Sequence, residues 1–380
     1  MLELPPLGLY IHIPWCVKKC PYCDFNSHEQ SGDIPEKEYI KALCSDLDQD
    51  LHQAQGRQVS SIFIGGGTPS LFSAAAYGEL LTHIDKRLGI STAAEITLEA
   101  NPGTVEADRF RDYRLAGINR LSLGIQSFDP HSLKRLGRIH DDQQALAAVA
   151  VARRAGFDNL NLDLMHGLPE QSTGQALTDL ETALSFAPEH LSWYQLTIEP
   201  NTLFYRYRPP LPDADLIDSL QEQGQALLAE GGYAQYEVSA YATTGRRSAH
   251  NLNYWHFGDY LGIGAGAHGK ITDPQQNRIF RTRKKKQPDH YLSSDVDRLA
   301  QRTEIASGEL PLEFLLNALR LRDGFAKTQF ETRTGLTFST IGKHVEWLGE
   351  RGLLDVTADR VTTTERGYQL LNSVLEEFMA

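Results

Sequence analysis

The sequence predicts an α/β fold with a parallel sheet, followed by a smaller helical domain. Six β-rich segments, each followed by a helical pattern, alternate from residue 7 to residue 232. Such alternation is typical of parallel strands joined by right-handed crossovers. From about residue 305 the pattern changes to three helices and a short hairpin. A full or partial barrel and an open doubly wound sheet are both compatible with the first part.

The β-rich segments are recognised by runs of apolar and β-branched residues. They lie at residues 7–13, 59–65, 94–100, 120–126, 159–167 and 190–198. The helical segments show apolar residues near helical spacing, as in the first one, where Tyr39, Leu43 and Leu47 share a face. They lie at residues 36–54, 74–88, 106–117, 176–187 and 216–232. The helical segment after the fourth strand consists of two pieces, the second of which ends near residue 156. This regular order indicates one continuous β/α core.

Three domains are predicted. Residues 1–232 form the β/α core, residues 233–304 form an extension of it with strand patterns at "YEVSAYA" and "RIFRTRK", and residues 305–380 form a C-terminal domain resembling a winged helix. DNA binding is the weaker interpretation of the last domain. Its third helix carries Lys343 and Arg351 as positive charges against Glu346 and Glu350.

Composition excludes several classes of function. The net charge of -12 argues against nucleic acid as the main partner, since backbone phosphates would be repelled. The mean hydropathy of -0.37 and the lack of long apolar runs argue against a membrane span, and the N-terminus does not resemble a signal peptide. Four cysteines do not make a disulfide framework in 380 residues, so we expect a cytoplasmic protein. The basic run "RTRKKK" at 281–286 is either a solvated face or a docking patch for an acidic partner or anionic headgroups, so peripheral membrane contact stays open.

Three of the four cysteines, Cys16, Cys20 and Cys23, lie in one short segment after the first strand. A zinc site would need a fourth ligand such as His12 or His28, and its spacing would be unusual. A redox CxxC pair would leave Cys16 unexplained. An iron–sulfur cluster held by three thiolates, with one iron open, accounts for all three. Cys44 lies in a helical pattern and is interpreted as an inert buried thiol.

Polar or glycine-rich features follow each of the first five strands. After the cysteine segment come "GGGTP" at 65–69, Glu99, Gln126 and Asp163. Chemistry in parallel β/α folds collects at the carboxyl ends of strands, so these residues are expected to share one site. The glycines are expected to let backbone approach a ligand closely and to expose amide N–H groups.

The CxxxCxxC segment directly after a first strand resembles that of radical S-adenosylmethionine (SAM) enzymes, in which the open iron chelates SAM. With "GGGTPS", "EANPGT", "GIQSFD", "LGRIH" and "NLDLMHGLP", the chain is similar to the coproporphyrinogen-III-oxidase-like branch of that superfamily over nearly its whole length. The resemblance implies a partial TIM-like barrel and a [4Fe-4S] cluster on Cys16, Cys20 and Cys23. It also implies SAM contacts at Tyr10, Gly66, Gly67, Thr68, Glu99, Gln126, Arg138 and Asp163.

Two functions compete within this branch, the oxygen-independent oxidase of coproporphyrinogen III and a heme chaperone that delivers heme to apo-hemoproteins such as respiratory enzymes. The oxidase pattern CxxxCxxCxC is broken here by Phe25, and only nine residues precede Tyr10. "HNLNYW" at 250–255 matches the heme-binding motif of the chaperones. The resemblance therefore implies a chaperone with heme as cargo and no catalytic residue for coproporphyrinogen.

In that motif, His250 is the expected axial heme ligand, and Tyr254 and Trp255 are expected to pack on the macrocycle. His268 is a second candidate ligand, and Ala265 stands where similar sequences can hold a cysteine. A third class of function, a zinc-containing regulatory protein, fits the acidic charge and the strand-end residues less well.

Overall fold

The computed structural model describes residues 1–30, 32–104, 107–293 and 297–379. The strands of this part are β1 (Leu7–Ile13), β2 (Trp15–Cys16), β3 (His28–Glu29), β4 (Val59–Gly66), β5 (Ile90–Ala100), β6 (Arg120–Gln126), β7 (Leu160–His166), β8 (His190–Gln195), β9 (Ala234–Glu237), β10 (Ala240–Ala242), β11 (Asp259–Ile263), β12 (His268–Asp273), β13 (Arg278–Lys284), β14 (Leu299–Glu304), β15 (Phe325–Ala326), β16 (Leu354–Val356) and β17 (Arg360–Thr363).

The α-helices of the same part are α1 (Glu36–Asp50), α2 (Ala74–Arg87), α3 (Ala107–Leu115), α4 (Pro130–Arg135), α5 (Asp142–Arg154), α6 (Thr173–Ser185), α7 (Leu203–Arg206), α8 (Ala214–Glu230), α9 (Ala249–Trp255), α10 (Pro288–Leu292), α11 (Leu310–Ala318), α12 (Lys327–Thr334), α13 (Ser339–Glu350), α14 (Glu365–Gln369) and α15 (Leu371–Glu376). Two of them begin with capping boxes, Asp141 with Gln144 and Ser172 with Gln175, which satisfy the first amides of α5 and α6.

A twelve-stranded sheet is the framework, in the order β14-β13-β12-β11-β1-β4-β5-β6-β7-β8-β10-β9. The strands from β11 to β8 run parallel, and the outer strands are antiparallel. The six predicted strands follow chain order without the reversal that marks a doubly wound sheet. Gly66 of β4, Asp163 of β7 and Glu237 of the edge strand β9 line one cavity, so the sheet curls around it. The predicted partial barrel is confirmed.

The boundaries of the predicted elements shift by a few residues. The first helix ends in a 3-10 turn at Leu51–Ala54, and β5 begins at Ile90, four residues earlier than predicted. Two of the four added residues at the start of β5 are polar and two are exposed, so they lack an apolar signal. β8 ends at Gln195 instead of residue 198. Glu106, predicted to begin the third helix, lies outside the described residues.

The segment from 233 to 304 contains more structure than its sequence predicted. The predicted strand at 236–242 is the hairpin β9–β10, and "RIFRTRK" is β13 as predicted. Helix α9 and strands β11, β12 and β14 were not predicted. β11 pairs in parallel with β1, so this segment extends the sheet from the side opposite β4.

The C-terminal part contains the three predicted helices as α11, α12 and α13, and the predicted hairpin as β16 and β17. β15 pairs with β17 to give a three-stranded sheet, and two short helices follow. Phe314, Phe330 and Val345 lie in an apolar cluster distinct from that of the barrel. The domain limits at 233 and 305 stay predictions. Within the described residues, no helix has the length and apolar character to cross a bilayer.

Candidate functional site

The cysteine segment is a loop closed at its base by backbone pairing. Trp15 and Cys16 of β2 pair in parallel with His28 and Glu29 of β3. Two further bonds extend this closure, because the amide of His28 donates to the carbonyl of Pro14 at 2.7 Å and that of Gln30 donates to Cys16 at 2.8 Å. Both ends of the loop are thereby fixed at the carboxyl end of β1.

All three loop cysteines line one cavity of about 720 Å³ at the carboxyl ends of the barrel strands. They are free thiols, and burial raises the pKa of Cys16 and of Cys23. The Arg138 guanidinium donates to Sγ of Cys20 at 3.4 Å, a cation placed where a thiolate would form. The described residues contain no set of three His, Cys, Asp or Glu side chains placed to hold a single metal ion. Three thiols on one cavity wall beside a guanidinium are a suitable donor set for an iron–sulfur cluster.

The glycine-rich turn after β4 holds the cysteine loop. The amide of Gly67 donates to the carbonyl of Ile13 and the amide of Thr68 donates to that of Trp15, both at 2.7 Å. A Cβ on Gly67 would lie 2.4 Å from the Trp15 carbonyl oxygen, so only glycine fits. Gly66 has a φ of 114°, and its amide donates to Glu99 at 3.1 Å. The expectation that these amides are exposed to a ligand was wrong, because they bind acceptors of the protein itself.

Most residues assigned to SAM by resemblance line the same cavity as the cysteines. They are Gly66, Gly67, Thr68, Glu99, Gln126, Arg138 and Asp163. Gln126 has a φ of 69°, which is rare for a residue with a side chain, and accepts a hydrogen bond from the Tyr194 hydroxyl at 2.8 Å. Asp163 accepts hydrogen bonds from Ser122 at 2.7 Å and Asn161 at 2.8 Å. The structure thus brings together every one of these strand-end residues that the sequence singled out, and Tyr10 lies apart.

Two carboxyl groups, those of Glu99 and Asp163, line this cavity. Burial, with a smaller contribution from Asp163, raises the pKa of Glu99 to about 8. Burial also raises the pKa of Asp163, although its hydrogen bonds from Ser122 and Asn161 oppose the shift. A protonated carboxyl group can donate a hydrogen bond to a ligand hydroxyl, and a bound cation would lower its pKa and favour the carboxylate.

We expect Glu99 to make stability fall as pH rises. In the unfolded chain it ionises near its ordinary pKa of ~4.3, but in the folded chain it keeps its proton until about pH 8. Its ionisation therefore opposes folding between those values, by about 3 kcal/mol from pH 5.5 to 8.5. Buried histidines with lowered pKa values, such as His12, His140 and His166, add slopes of the opposite sign, so the contribution of Glu99 is the difference in slope between the wild-type protein and Glu99→Gln in urea unfolding of the ligand-free protein. The exposed Glu181→Gln serves as control; an unchanged slope in Glu99→Gln would show that Glu99 ionises normally.

A second cavity, of about 340 Å³, lies on the same side of the sheet toward β11, β12 and β13, and we call it the aromatic cavity. Its lining includes Tyr10, Phe63, Tyr254, Trp255, Phe257, Tyr260, His268 and Arg281. Tyr10, assigned to SAM by resemblance, lies here, and its hydroxyl donates to Nδ1 of His12 at 2.7 Å. Trp255 lines both cavities and so stands between them.

His250 lies beneath the aromatic cavity and is not part of its lining. Its ring is 7% exposed and stacks on Phe63 with the centroids 4.1 Å apart. Its Nδ1 lies 3.0 Å from Oε1 of Glu95, so only Nε2 remains for an iron. Its role as axial ligand stays a prediction.

Sequence reasoning missed Glu95. Its carboxylate receives the backbone amides of Ala249 at 3.0 Å and His250 at 3.2 Å, and it lies 3.8 Å from Nε of Arg120. Glu95 thus holds the first turn of α9, the helix of the "HNLNYW" motif, against β5. A glutamate within a strand gives no local sign of this contact, which joins residues more than 150 positions apart.

Known proteins resemble this chain along its whole length. Residues 10–183 match the Radical SAM superfamily and residues 305–370 match the HemN C-terminal domain. The chain is 52% identical to the heme chaperone HemW of Escherichia coli K12, with 100% of both chains covered, and 51% identical to that of Haemophilus influenzae, with 100% and 99% covered. It is 35% identical to the bovine mitochondrial radical S-adenosyl methionine domain-containing protein 1, with 97% and 86% covered.

Among solved structures, coproporphyrinogen III oxidase (HemN) from Escherichia coli superposes with a TM-score of 0.82, covering 99% of this chain and 90% of that one. At 23% identity this likeness shows the fold alone. The full-length identity to the HemW proteins of Escherichia coli and Haemophilus influenzae is more than twice as high. This chain belongs to the HemW family of the radical SAM superfamily.

Proposed function

We propose that this protein is a heme chaperone, which binds heme and passes it to apo-hemoproteins with the help of a [4Fe-4S] cluster and SAM. The observation that carries the proposal is the full-length identity of 52% to a relative named heme chaperone HemW. The structure supports it with two adjoining cavities, one lined by the three thiols and the other by aromatic side chains.

We assign the cluster to Cys16, Cys20 and Cys23. These three thiols would hold the cluster and would leave one iron open to bind SAM. The protein's own part is to fix the loop through β2 and β3 and to place the Arg138 guanidinium beside Cys20. A nearby cation favours the thiolate, the form that binds iron.

We assign SAM to the remainder of the same cavity. Glu99 and Asp163 present carboxyl groups there, Gln126 presents its amide, and Thr68 lies beside them. The carboxyl oxygens are suited to ribose hydroxyls or an ammonium group, and Arg138 is suited to a carboxylate. Because Tyr10 lies in the aromatic cavity, its contact to SAM is the least supported of the set.

Oxygen-independent coproporphyrinogen III oxidase is the alternative function. The structure places Phe25, which stands where the oxidase pattern has its fourth cysteine, at 59% exposure on the edge of the cluster cavity. We therefore expect no decarboxylation of coproporphyrinogen III. Client hemoproteins such as respiratory enzymes and a cytoplasmic location complete the proposal, with any membrane contact peripheral.

A transfer assay with anaerobically purified protein tests this function. We expect the protein to bind one heme per chain and to show a Soret band. A heme-free b-type cytochrome should become holoprotein faster when it is mixed with the heme-loaded chain than when it is mixed with free heme at the same concentration. Coproporphyrinogen III supplied with SAM and reductant should stay unchanged. Sustained formation of protoporphyrinogen IX would make the protein an oxidase, and failure to bind heme would exclude the chaperone function.

A further inference from the structure

The aromatic cavity is shaped by two rungs of the sheet. In one rung Phe63 of β4 pairs with Tyr10 of β1, which pairs with Gly262 of β11. In the other, Tyr260 of β11 pairs with Lys270 of β12, which pairs with Arg281 of β13. Side chains two residues apart on a strand share a face, so both rungs face the cavity. Tyr254 closes it from α9, with its ring centroid 4.7 Å from that of Tyr260.

His268 is the histidine that lines this cavity. The residue is exposed, and its imidazole makes no hydrogen bond to any residue in the described part of the chain. Partial burial and the charges of Arg283, Lys286 and Arg281 lower its pKa, so the neutral imidazole that binds iron predominates. A Cβ on Gly262 would lie 2.0 Å from the carbonyl oxygen of His268, so the glycine lets β12 begin close against β11.

Arg283 provides a cation beside this imidazole. It is the cross-strand partner of His268. Its Nε is buried without a hydrogen-bond partner, and its guanidinium forms no ion pair with the described residues. Arg281, by contrast, already binds the hydroxyl of Tyr260 at 3.0 Å and the carboxylate of Glu313 at 2.5 Å. Within the described residues, the basic run at 281–286 thus contains one guanidinium without an ion pair, that of Arg283, and it lies opposite His268, which lines the aromatic cavity.

We propose that the aromatic cavity is the heme seat, with His268 as the axial iron ligand and Arg283 as the partner of a heme propionate. This rests on the proposed function and locates its cargo. Aromatic walls suit a porphyrin face, an unpartnered imidazole suits the iron, and a free guanidinium suits a carboxylate. A cavity of about 340 Å³ encloses only part of a macrocycle, which leaves an edge exposed for transfer to a client.

The "HNLNYW" motif then contributes its aromatic rings, and His250 is a positioning residue. Tyr254 and Trp255 line the seat, but His250 is turned to Glu95 and stacked under Phe63. The contact of Nδ1 with Glu95 leaves Nε2 available, but the buried ring stacks on Phe63 and lines neither cavity, so it would have to turn before Nε2 could reach an iron in the seat. His268 needs no such rearrangement.

Heme titrations of the anaerobically purified holoprotein test the assignment. His268→Ala should weaken heme affinity at least tenfold and shift the Soret band, and His268→Gln should do the same. The matched control is His131→Ala, an exposed histidine on α4 away from the cavity. Iron and sulfide contents should be equal in all variants, which shows that the fold and cluster persist.

Arg283→Gln tests the propionate contact separately. It should weaken binding of heme several-fold but leave binding of heme dimethyl ester, which has no propionate charge, equal to that of the wild-type protein. The assignment would be overturned if both His268 variants keep the wild-type Soret band and heme affinity. It would also be overturned if only His250→Ala changes the band and the affinity. In either case the chaperone function would stand. Failure of the wild-type protein to bind heme would overturn the function itself.

Discussion

Replacing Cys16, Cys20 or Cys23 with Ala should remove the cluster altogether. Each thiolate holds one corner, and the structure offers no other cysteine near the loop, because Cys44 lies in α1. Iron and sulfide in anaerobically purified protein should fall to background in all three variants, and the broad visible absorption of thiolate-bound iron should disappear with them. The loss should also abolish SAM binding, since the open iron of the cluster would be the main site for SAM.

Cys44→Ala is the matched control, with an expected wild-type content of iron and sulfide. Burial raises the pKa of Cys44 to about 11, so this thiol stays protonated and unreactive near neutral pH. Stoichiometric zinc with no labile sulfide in the wild-type protein would contradict the cluster. Retention of a full cluster in any one of the three loop variants would show that another ligand takes that corner.

The strand-end residues could be predicted because parallel strands impose one direction. Once six β/α units were recognised, the residues after each strand had to meet at one end of the sheet, and Glu99, Gln126 and Asp163 do share a cavity with the cysteines. The sequential strand order also decided between the two architectures that the sequence left open.

The other half of the site could not be predicted, because it depends on pairing between distant segments. β11 pairs with β1, which lies about 250 residues earlier in the chain. The periodicity of a segment does not indicate which edge of a sheet it will join. α9 has only seven residues, too few for a helical apolar stripe. The aromatic cavity forms only when β1, β4, α9 and β11–β13 come together.

The glycines after β4 show a different limit. The sequence indicated that backbone would be close to something, and the structure shows that the neighbour is the cysteine loop. A glycine in the sequence indicates the backbone conformation of a turn, but it does not indicate whether a ligand or another part of the chain packs against that turn.

Glu95→Ala should be among the most damaging substitutions outside the cysteines. Burial alone would raise the pKa of Glu95, but the hydrogen bond of His250 and the charge of Arg120 hold it well below its usual range. The carboxylate therefore stays ionised and paired in the folded protein. Its removal leaves the buried Arg120 without its counterion and the first amides of α9 without acceptors, a loss of about 3 kcal/mol in the free energy of unfolding.

The decisive readout is local, because α9 positions Tyr254 and Trp255. Hydrogen exchange of residues 249–255 should accelerate in Glu95→Ala, and heme affinity should fall with it, while the cluster remains. Glu95→Gln keeps one oxygen to accept an amide and should show a smaller effect on both. Glu181→Gln, an exposed change on α6, should show none. If the amides of α9 exchange at the wild-type rate in Glu95→Ala, the carboxylate does not fix the helix, and its apolar contacts hold it instead.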